Sequence, residues 1–403
     1  MTTAGEQVHE FPMARTCPFA PPASYAEIRE QRPIAPVRLP GGGQAWVVSR
    51  HEDVRVVLSD PRFSADRRQP GFPHLMPGGQ VLPEEDAEPS MVSMDGAEHG
   101  QARRSVLSEF GFRRMEALRP SIQEIVDARI DALLAGPRPG DLVETVSVPV
   151  ASLVICEILG VPYADRDVFQ ADPGKLARMS TPLEERRAAN EAVCAYLSGL
   201  IADKEANPPD DLLGRQIIRL RDEGTYRREA LAALAVLLLF AGYGTTANMI
   251  SLGALALLRN PEQLAALAAD PSRTPGAVEE LLRYFTISDL SIQRLCVEDV
   301  TLGGQLIRAG EGVLPLTYAA NRDPRVFDDP DALDIGRGKL THLAFGYGPH
   351  QCLGSSLARL ELQVVFDTLF RRVPGLALAC AVDELPFKDG GMVYGLHRLP
   401  VTW

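Results

Sequence analysis

The stretch FGYGPHQCLG, residues 345–354, places Cys352 just ahead of the last long helical pattern of the chain, SSLARLELQVVFDTLFRRV. A metal-binding cysteine acts as its thiolate, and the unpaired N–H groups and dipole of a helix N-terminus favour an anion there. Gly346, Gly348 and Gly354 would let the loop pass close to a flat group. Because a lone cysteine is more often a small buried apolar side chain, the residue types alone leave both interpretations open.

The spacing of the glycines, His350 and Cys352 favours the interpretation of Cys352 as a metal ligand. The fixed positions Phe-Gly-x-Gly-x-His-x-Cys-x-Gly resemble the haem-binding loop of the cytochrome P-450 family, the haem-thiolate monooxygenases. The resemblance implies that Cys352 is the axial ligand of the iron of haem b, iron protoporphyrin IX. It also implies that the other fixed residues of the loop lie against this cofactor, namely Phe345, Gly346, His350 and Gly354.

Two further segments resemble elements of the same family in the expected order. Glu280 and Arg283 match its E-x-x-R helix, whose two charges pair with each other and with an irregular segment before the cysteine loop. NRDPRVFDDPDALDIGR, residues 321–337, resembles that segment, with Arg337 as the third member. An acid and a base three residues apart on a helix otherwise form an ordinary surface pair, so the order of the segments carries the interpretation.

The propionates of a haem need cationic partners if they are buried. His99 and Arg103 lie four residues apart in DGAEHGQARR, residues 95–104, and therefore share a helix face. The resemblance implies that these two residues hold the propionates together with Arg294 and His350.

An uncharged run extends from Ala230 to Leu258 and is long enough to cross a membrane. Its most polar part, FAGYGTTANMI (residues 240–250), would then lie at the middle of the bilayer, where unpaired polar groups are costly. A helix buried inside a large protein is also hydrophobic on all sides. We therefore expect a buried helix and no membrane contact.

The same stretch resembles the family segment A-G-x-acid-T-T, which crosses the haem. Ala241, Gly242, Thr245 and Thr246 match, whereas Gly244 stands where the acid is expected. The resemblance implies that Thr245 hydrogen-bonds oxygen bound at the iron. This role requires a locally opened helix, which Gly242 and Gly244 would ease because glycine tolerates unusual dihedral angles.

The missing acid leaves the source of protons open. Water held by Thr245, Thr246 or Asn248 would deliver them, or a polar group of the substrate would do so. A third alternative is a reaction that tolerates poor protonation, such as radical coupling. We favour the water or substrate route.

Composition limits the function further. The chain has 403 residues, 45% of them apolar and 23% charged, as in globular proteins, and its net charge of −12 disfavours nucleic-acid binding. Its six scattered cysteines are typical of a reducing compartment. The first residues show neither the basic nor the apolar region of a signal peptide. These features predict a cytoplasmic protein.

Helical periodicity fills the middle third of the chain, and short β-prone runs with glycine turns fill the last third. No repeat or linker marks a boundary, so we expect a single domain over residues 1–403. The predicted fold class is mainly α with small β-sheets (α+β). The resemblance implies the triangular, helix-rich prism of the family, with a long central helix over the haem.

The implied function is that of a monooxygenase. It would insert one oxygen atom from O2 into an apolar or moderately polar small molecule, in secondary metabolism or xenobiotic oxidation. No flavin or iron–sulfur segment is left unassigned, so the electrons must come from another protein. The resemblance implies a monomer that receives them from a ferredoxin and ferredoxin reductase, and Arg104, Arg113, Arg114 and Arg359 would form a basic docking face. The alternatives are a peroxide-using or radical-coupling haem-thiolate enzyme and a non-catalytic haem-thiolate sensor or ligand-binding protein.

Substrate contacts follow from the resemblance alone. They are expected at Phe72, Met94, Met179, Ala241, Ile287, Asp289, Leu290 and Val393. Most of these side chains are apolar, as in ligand pockets generally. Asp289 is the exception: it could pair with a basic substrate atom, although a carboxylate hydrogen-bonded within the protein or solvated is more common.

Overall fold

Helices make up most of the fold. The computed structural model describes residues 8–75, 90–165, 181–338 and 340–403. Its α-helices in these residues are α1 (Ala23–Gln31), α2 (His51–Ser59), α3 (Gly96–Leu107), α4 (Phe112–Ala117), α5 (Arg119–Ala135), α6 (Val148–Leu159), α7 (Leu183–Lys204), α8 (Leu212–Asp222), α9 (Arg228–Arg259), α10 (Pro261–Ala269), α11 (Thr274–Phe285), α12 (Thr317–Ala320) and α13 (Ser355–Arg372).

The strands are short and form three small sheets. They are β1 (His9–Glu10), β2 (Ile34–Arg38), β3 (Gln44–Val48), β4 (Phe63–Ser64), β5 (Gly140–Asp141), β6 (Arg294–Cys296), β7 (Val300–Leu302), β8 (Gln305–Ile307), β9 (Gly312–Pro315), β10 (Ala377–Leu378) and β11 (Pro400–Thr402). The largest sheet has the order β1-β2-β3-β9-β6-β4, the second β10-β11-β5, and β7 pairs with β8. Gly303 and Gly304 make the β7–β8 turn with positive φ angles, which glycine adopts without strain.

Helix α9 lies at the centre of the helical part. By length and composition it would be able to cross a membrane. In the folded protein it instead packs against α6, α7, α11 and α13, and every residue from Thr246 to Leu257 is buried. The burial predicted from the sequence is therefore observed from Thr246 to Leu257, whereas the turns of the helix before Thr246 are only partly buried.

A close helix crossing explains one of the glycines inside α9. A Cβ atom added at Gly253 would come within 2.5 Å of Cζ of Phe366 on α13. No side chain fits at this distance without moving the ring, so Gly253 allows the two helices to approach each other. This helix pair joins the central helix to the element that follows Cys352.

The predicted fold class is confirmed: the protein is mainly α with small sheets. Helices α6 to α10 lie in the middle third of the chain, where the sequence shows helical periodicity. Glycine-rich hairpins appear in the last third as predicted. The expected substrate residue Met179 and most of the loop between Phe72 and Met94 lie outside the described residues.

Candidate active site

The cysteine loop is a tight turn that ends at α13. Gly346 and Gly348 both have φ of 71°, a conformation that other residues rarely adopt. A Cβ atom at Gly348 would lie 2.8 Å from the carbonyl oxygen of Leu58, so α2 also approaches the loop closely there. The Cys352 backbone N–H donates to the carbonyl oxygen of Phe345 at 2.8 Å, which closes the loop. The turn thus presents Cys352 just before the N-terminus of α13.

The surroundings of Cys352 act on its thiol in opposite directions. Cys352 is exposed, yet desolvation by the surrounding protein atoms raises the pKa of its thiol, whereas the Gly354 backbone N–H and the charges of Arg103 and Arg359 lower it, and the net pKa is raised. A free thiol of this kind is a weak nucleophile near neutral pH. A bound metal cation deprotonates a ligating thiol outright, so the site fits a metal ligand better than a reactive cysteine.

Four basic side chains gather beside the loop. The rings of His99 and His350 stack with centroids 4.0 Å apart. Nη2 of Arg103 donates to the carbonyl oxygen of Gln351 at 2.6 Å. Arg294, on β6, is buried and donates through Nη1 to the carbonyl oxygen of Gln293 at 2.8 Å. The structure thus brings together all four residues expected to hold propionates.

The two arginines of this cluster, Arg103 and Arg294, lack an anionic partner within the described part of the chain. There, no carboxylate oxygen lies within 4 Å of the Arg103 or Arg294 guanidinium. Burial lowers the pKa of Arg294 to about 10, and burial together with the charge of His350 lowers the pKa of His99 to about 4. A buried, unpaired guanidinium is costly. The cluster therefore fits a ligand that supplies carboxylates next to Cys352, as the two propionates of haem do.

Asp95 is a member of this cluster that the sequence analysis missed. It accepts hydrogen bonds from Ser64 Oγ and, at 3.0 Å, from the Ala65 backbone N–H, and its Oδ1 lies 3.9 Å from Nε2 of His350. Burial opposes its ionisation, but the contacts with His350 and Ser64 outweigh this effect and hold the pKa of its carboxyl well below the usual range. The sequence offered one indication of a structural role for Asp95: it lies one residue before α3, a position where aspartate is common.

One face of α9 is open at the middle of the helix. Ala241 is exposed, and a Cβ atom added at Gly244 would meet no atom within 4 Å. A Cβ atom at Gly242, by contrast, would lie 3.0 Å from Ile155 on α6. Ala241, Gly244 and Thr245 share one helix face by their spacing. The open face therefore carries Ala241 and Thr245, two of the four residues that match the oxygen-binding segment, and Gly244, which stands where the acid is expected.

The prediction that the backbone of α9 opens at this face is wrong. The α-helix is continuous from Arg228 to Arg259. The Thr245 hydroxyl donates to the carbonyl oxygen of Ala241 at 2.7 Å, so a bond inside the preceding turn satisfies it. The glycines serve close packing at Gly242 and open space at Gly244 rather than a break in the helix.

The next turn of α9 contacts the C-terminal hairpin. Nζ of Lys388 donates to Oδ1 of buried Asn248 at 2.9 Å. A Cβ atom at Gly395 would lie 2.0 Å from the same Oδ1, so only glycine fits at that position. The hairpin, bridged between Phe387 and Leu396, is therefore fixed to the central helix one turn beyond Thr245. Of the three residues considered for holding water, Thr246 and Asn248 are buried.

A buried charge network lies under the cysteine loop. Arg283 forms two bonds of 2.7 Å to the Glu280 carboxylate and donates to the carbonyl oxygens of Asn321, Pro330 and Ala332. Arg337 Nε donates to Glu280 at 3.2 Å. The Asn321 side chain in turn accepts from the Leu343 backbone N–H at 2.7 Å. The irregular segment before the loop is thus tied to α11 by three charged side chains.

Several expected substrate residues lie on two adjoining segments. The backbone N–H of Tyr394 donates to the carbonyl oxygen of Ile287 at 2.9 Å, and Ser291 Oγ donates to that of Met392 at 3.2 Å. These bonds place Ile287 and Leu290 beside the hairpin that carries Val393. Phe72 is buried against His74, and Met94 is half-buried next to Asp95.

The structure contradicts the substrate contact predicted for Asp289. Its Oδ2 accepts from the Tyr25 hydroxyl at 2.9 Å, and its Oδ1 accepts from Thr317 Oγ1 at 3.1 Å and the Tyr318 backbone N–H at 2.8 Å. The residue is buried, and its carboxylate is satisfied by α1 and α12. Asp289 therefore stabilises the packing of these helices instead of facing a ligand.

Known proteins resemble this chain over nearly its whole length. A protein-family model described as cytochrome P-450 matches residues 179–373. Pentalenic acid synthase of Streptomyces avermitilis is 45% identical over 406 residues, which cover 100% of both chains. The crystal structure of cytochrome P-450 MoxA from Nonomuraea recticatena has 55% identity and a TM-score of 0.91 over 98% of each chain. MycCI of Micromonospora griseorubida, a mycinamicin VIII methyl hydroxylase crystallised with mycinamicin VIII, has 40% identity and a TM-score of 0.92, over 98% of this chain and 100% of its own.

Proposed function

Since the chain belongs to the cytochrome P-450 family and is a haem-thiolate monooxygenase, we propose that it hydroxylates an aliphatic carbon of an apolar or moderately polar secondary metabolite, or of a xenobiotic of similar character. The supporting observation is the conjunction of Cys352 with the unpaired guanidinium groups of Arg103 and Arg294. MycCI, the relative crystallised with its substrate, hydroxylates a methyl group by its name. The cofactor proposed is haem b.

Each residue of the site has a proposed task. Cys352 ligates the iron, while Arg103, Arg294, His99 and His350 bind the propionates. When bound, the haem supplies the oxidation chemistry, and donation from the thiolate favours O–O cleavage.

Thr245 is proposed to hold a proton at the open face of α9. Its Oγ1 would turn from the Ala241 carbonyl oxygen, where it now donates, towards oxygen or water in the pocket. The open space at Gly244 leaves room there for water or for a polar group of the substrate. This arrangement supports proton delivery by water or substrate in place of the acid that the family usually supplies.

The substrate would be held mainly by apolar contacts. Ala241, Ile287, Leu290 and Val393 lie on α9 and on two segments that hydrogen bonds join. Such walls select a ligand by shape and apolar area, and few polar groups fix its orientation.

We also propose a ferredoxin, supplied by its reductase, as the electron donor. Phe112 is 70% exposed and Leu107 49% exposed, next to Arg104 and Arg113, and within the described residues neither arginine lies within 4 Å of a carboxylate. An apolar centre with basic neighbours complements an acidic partner and steers its approach. Arg114 and Arg359 are held by Glu109 and Glu279, so the docking face proposed is Arg104, Leu107, Phe112 and Arg113.

We propose a monomeric, single-domain enzyme that acts in the cytoplasm, without nucleic-acid or membrane partners. The missing acid at Gly244 favours one second candidate, a peroxide-using enzyme of the same haem-thiolate type.

One experiment tests the reaction and separates the two candidates. Ligands that displace haem-bound water are selected from a metabolite library by their spectral shift and then incubated with 18O2, a surrogate ferredoxin, its reductase and NADPH. A hydroxylated product that carries one 18O atom supports the proposal. Product formed only with added hydrogen peroxide would favour the peroxide-using enzyme.

A further inference from the structure

The carboxylate of Glu279 binds two basic side chains from different parts of the chain. Arg359, on α13, donates to it through Nε at 2.6 Å and through Nη2 at 3.0 Å. Nε2 of His342, in the segment before the cysteine loop, lies 3.1 Å from Oε2 of the same carboxylate. Glu279 on α11 thus joins the elements on either side of Cys352. Its neighbour Glu280 serves the separate network with Arg283.

Both partners of Glu279 contact the start of the cysteine loop. The Arg359 guanidinium lies over the Phe345 ring, 4.6 Å from its centroid, and the His342 ring lies 6.1 Å from it. Phe345 in turn accepts the hydrogen bond from the Cys352 backbone N–H. A continuous set of contacts therefore runs from Glu279 through Arg359 and Phe345 to Cys352.

The charges of this network are held next to the cysteine loop. Burial opposes the ionisation of Glu279, but its bonds with His342 and Arg359 outweigh burial and lower its pKa to about 2. The carboxylate is therefore charged at any physiological pH. The guanidinium that it holds lies over the Phe345 ring, and the carbonyl oxygen of the same Phe345 closes the cysteine loop. A two-bond pair fixes a guanidinium in position better than a single contact does.

We propose that Glu279 is a positioning residue for the haem ligand: it holds Arg359 and the Phe345 ring in place and thereby keeps the cysteine loop in the form in which Cys352 binds the iron. Arg359 is consequently part of the ligand environment and not of the partner-docking face. This inference rests on the haem-thiolate function of the protein.

The experiment uses the haem-loaded protein and three variants at this network. In Glu279→Gln the guanidinium loses its counter-charge and is free to leave the Phe345 ring, which loosens the cysteine loop, so a several-fold larger fraction of the reduced carbon-monoxide complex should lack the thiolate-type Soret band. Arg359→Gln should show the same loss and a lower haem reduction potential, because a positive charge is removed. Arg359→Lys keeps that charge and should stay near the wild type in both readouts.

A matched control and a coupling measurement complete the test. Glu262→Gln changes an exposed carboxylate on α10 and should leave the spectrum unchanged. If Glu279 acts through Arg359, the double variant Glu279→Gln/Arg359→Gln should be no worse than Arg359→Gln alone.

A wild-type Soret band in Glu279→Gln would overturn the inference, as would equal potentials in Arg359→Gln and Arg359→Lys. If Glu279→Gln does not fold, the two Arg359 variants decide the question. A wild-type protein without a thiolate-type band would instead contradict the proposed function itself.

Discussion

The Thr245 hydroxyl donates a hydrogen bond to the carbonyl oxygen of Ala241, 2.7 Å away and one turn earlier in the central helix. The bond lies on the open face of that helix, next to the space at Gly244. The hydroxyl is thus held on the helix at the point where the proposed reaction needs a proton, next to the glycine that stands where an acid was expected.

Replacing Thr245 should uncouple electron consumption from product formation. In Thr245→Ala no hydroxyl holds the proton donor, so hydrogen peroxide released per NADPH should rise several-fold and product should fall. Thr245→Ser keeps the hydroxyl and should remain close to the wild type. Peroxide and product measured against NADPH consumption check this prediction, and an unchanged ratio in Thr245→Ala would contradict the role of the hydroxyl.

Alanine substitutions at two glycines of the central helix should have opposite effects on the stability of the fold. Gly244→Ala places its Cβ in open space and removes a helix-weakening glycine, so it should stabilise the fold by up to about 1 kcal/mol. Gly253→Ala would push against the Phe366 ring and should destabilise the fold by about 1–3 kcal/mol. Denaturant unfolding of the two variants measures both changes, and equal shifts would contradict the close crossing of α9 and α13.

An acid at position 244 should fit without restoring a proton path. Gly244→Asp is accommodated by the same open space, yet the proposed route uses water or substrate. Product per NADPH should therefore not increase, as measured with the substrate found by screening. A marked gain in coupling would show that the missing acid limits the wild-type enzyme.

Glu361 should make stability depend on pH. The side chain is 2% exposed, and its Oε2 has no partner among the described residues. Burial raises the pKa of this carboxyl well above its usual value. The folded state therefore keeps a proton that the unfolded state releases above about pH 4.5, so this group costs stability as pH rises. Glu361→Gln removes the effect.

The stability gap between Glu361→Gln and the wild type should consequently widen in favour of the variant from pH 5 to pH 8. Denaturant unfolding at several pH values measures it. A gap that stays constant with pH would show that Glu361 is ionised in the folded protein.

Phe112 should anchor the electron donor. Phe112→Ala removes the most exposed aromatic side chain of the proposed docking face and should weaken ferredoxin binding by about tenfold, the scale of a single interface anchor. Leu306→Ala, 43% exposed on β8, is the matched control. Titration of a surrogate ferredoxin at low and high salt measures the affinities, and equal losses in both variants would place the docking face elsewhere.

The sequence predicted the elements and the chemical motif well because both are local. Periodicity over a dozen residues defines helices such as α5, and the spacing of Phe345, His350 and Cys352 lies within one loop. No local pattern of this kind indicates contacts between segments that are distant in the sequence. Glu279 was missed because its partners lie 63 and 80 residues away, and Asp95 because its partners Ser64 and His350 come from other segments.

The predicted roles of some residues were wrong because the adjacent sequence does not reveal which distant segments surround them in the fold. Asp289 lies within the segment expected to face the substrate, but α1 and α12 satisfy its carboxylate. The glycines of the central helix suggested an opened backbone, whereas the structure uses Gly242 for packing on α6. Only the three-dimensional arrangement distinguishes a glycine needed for close approach from one needed for flexibility.

The identity of the haem ligand is the central claim, and one spectrum tests it directly. The reduced protein with carbon monoxide should show the thiolate-type Soret band in the wild type. Cys352→Ser should lose this band, whereas Cys296→Ser, which changes a buried cysteine outside the loop, should keep it. A thiolate-type band that persists in Cys352→Ser would contradict the account.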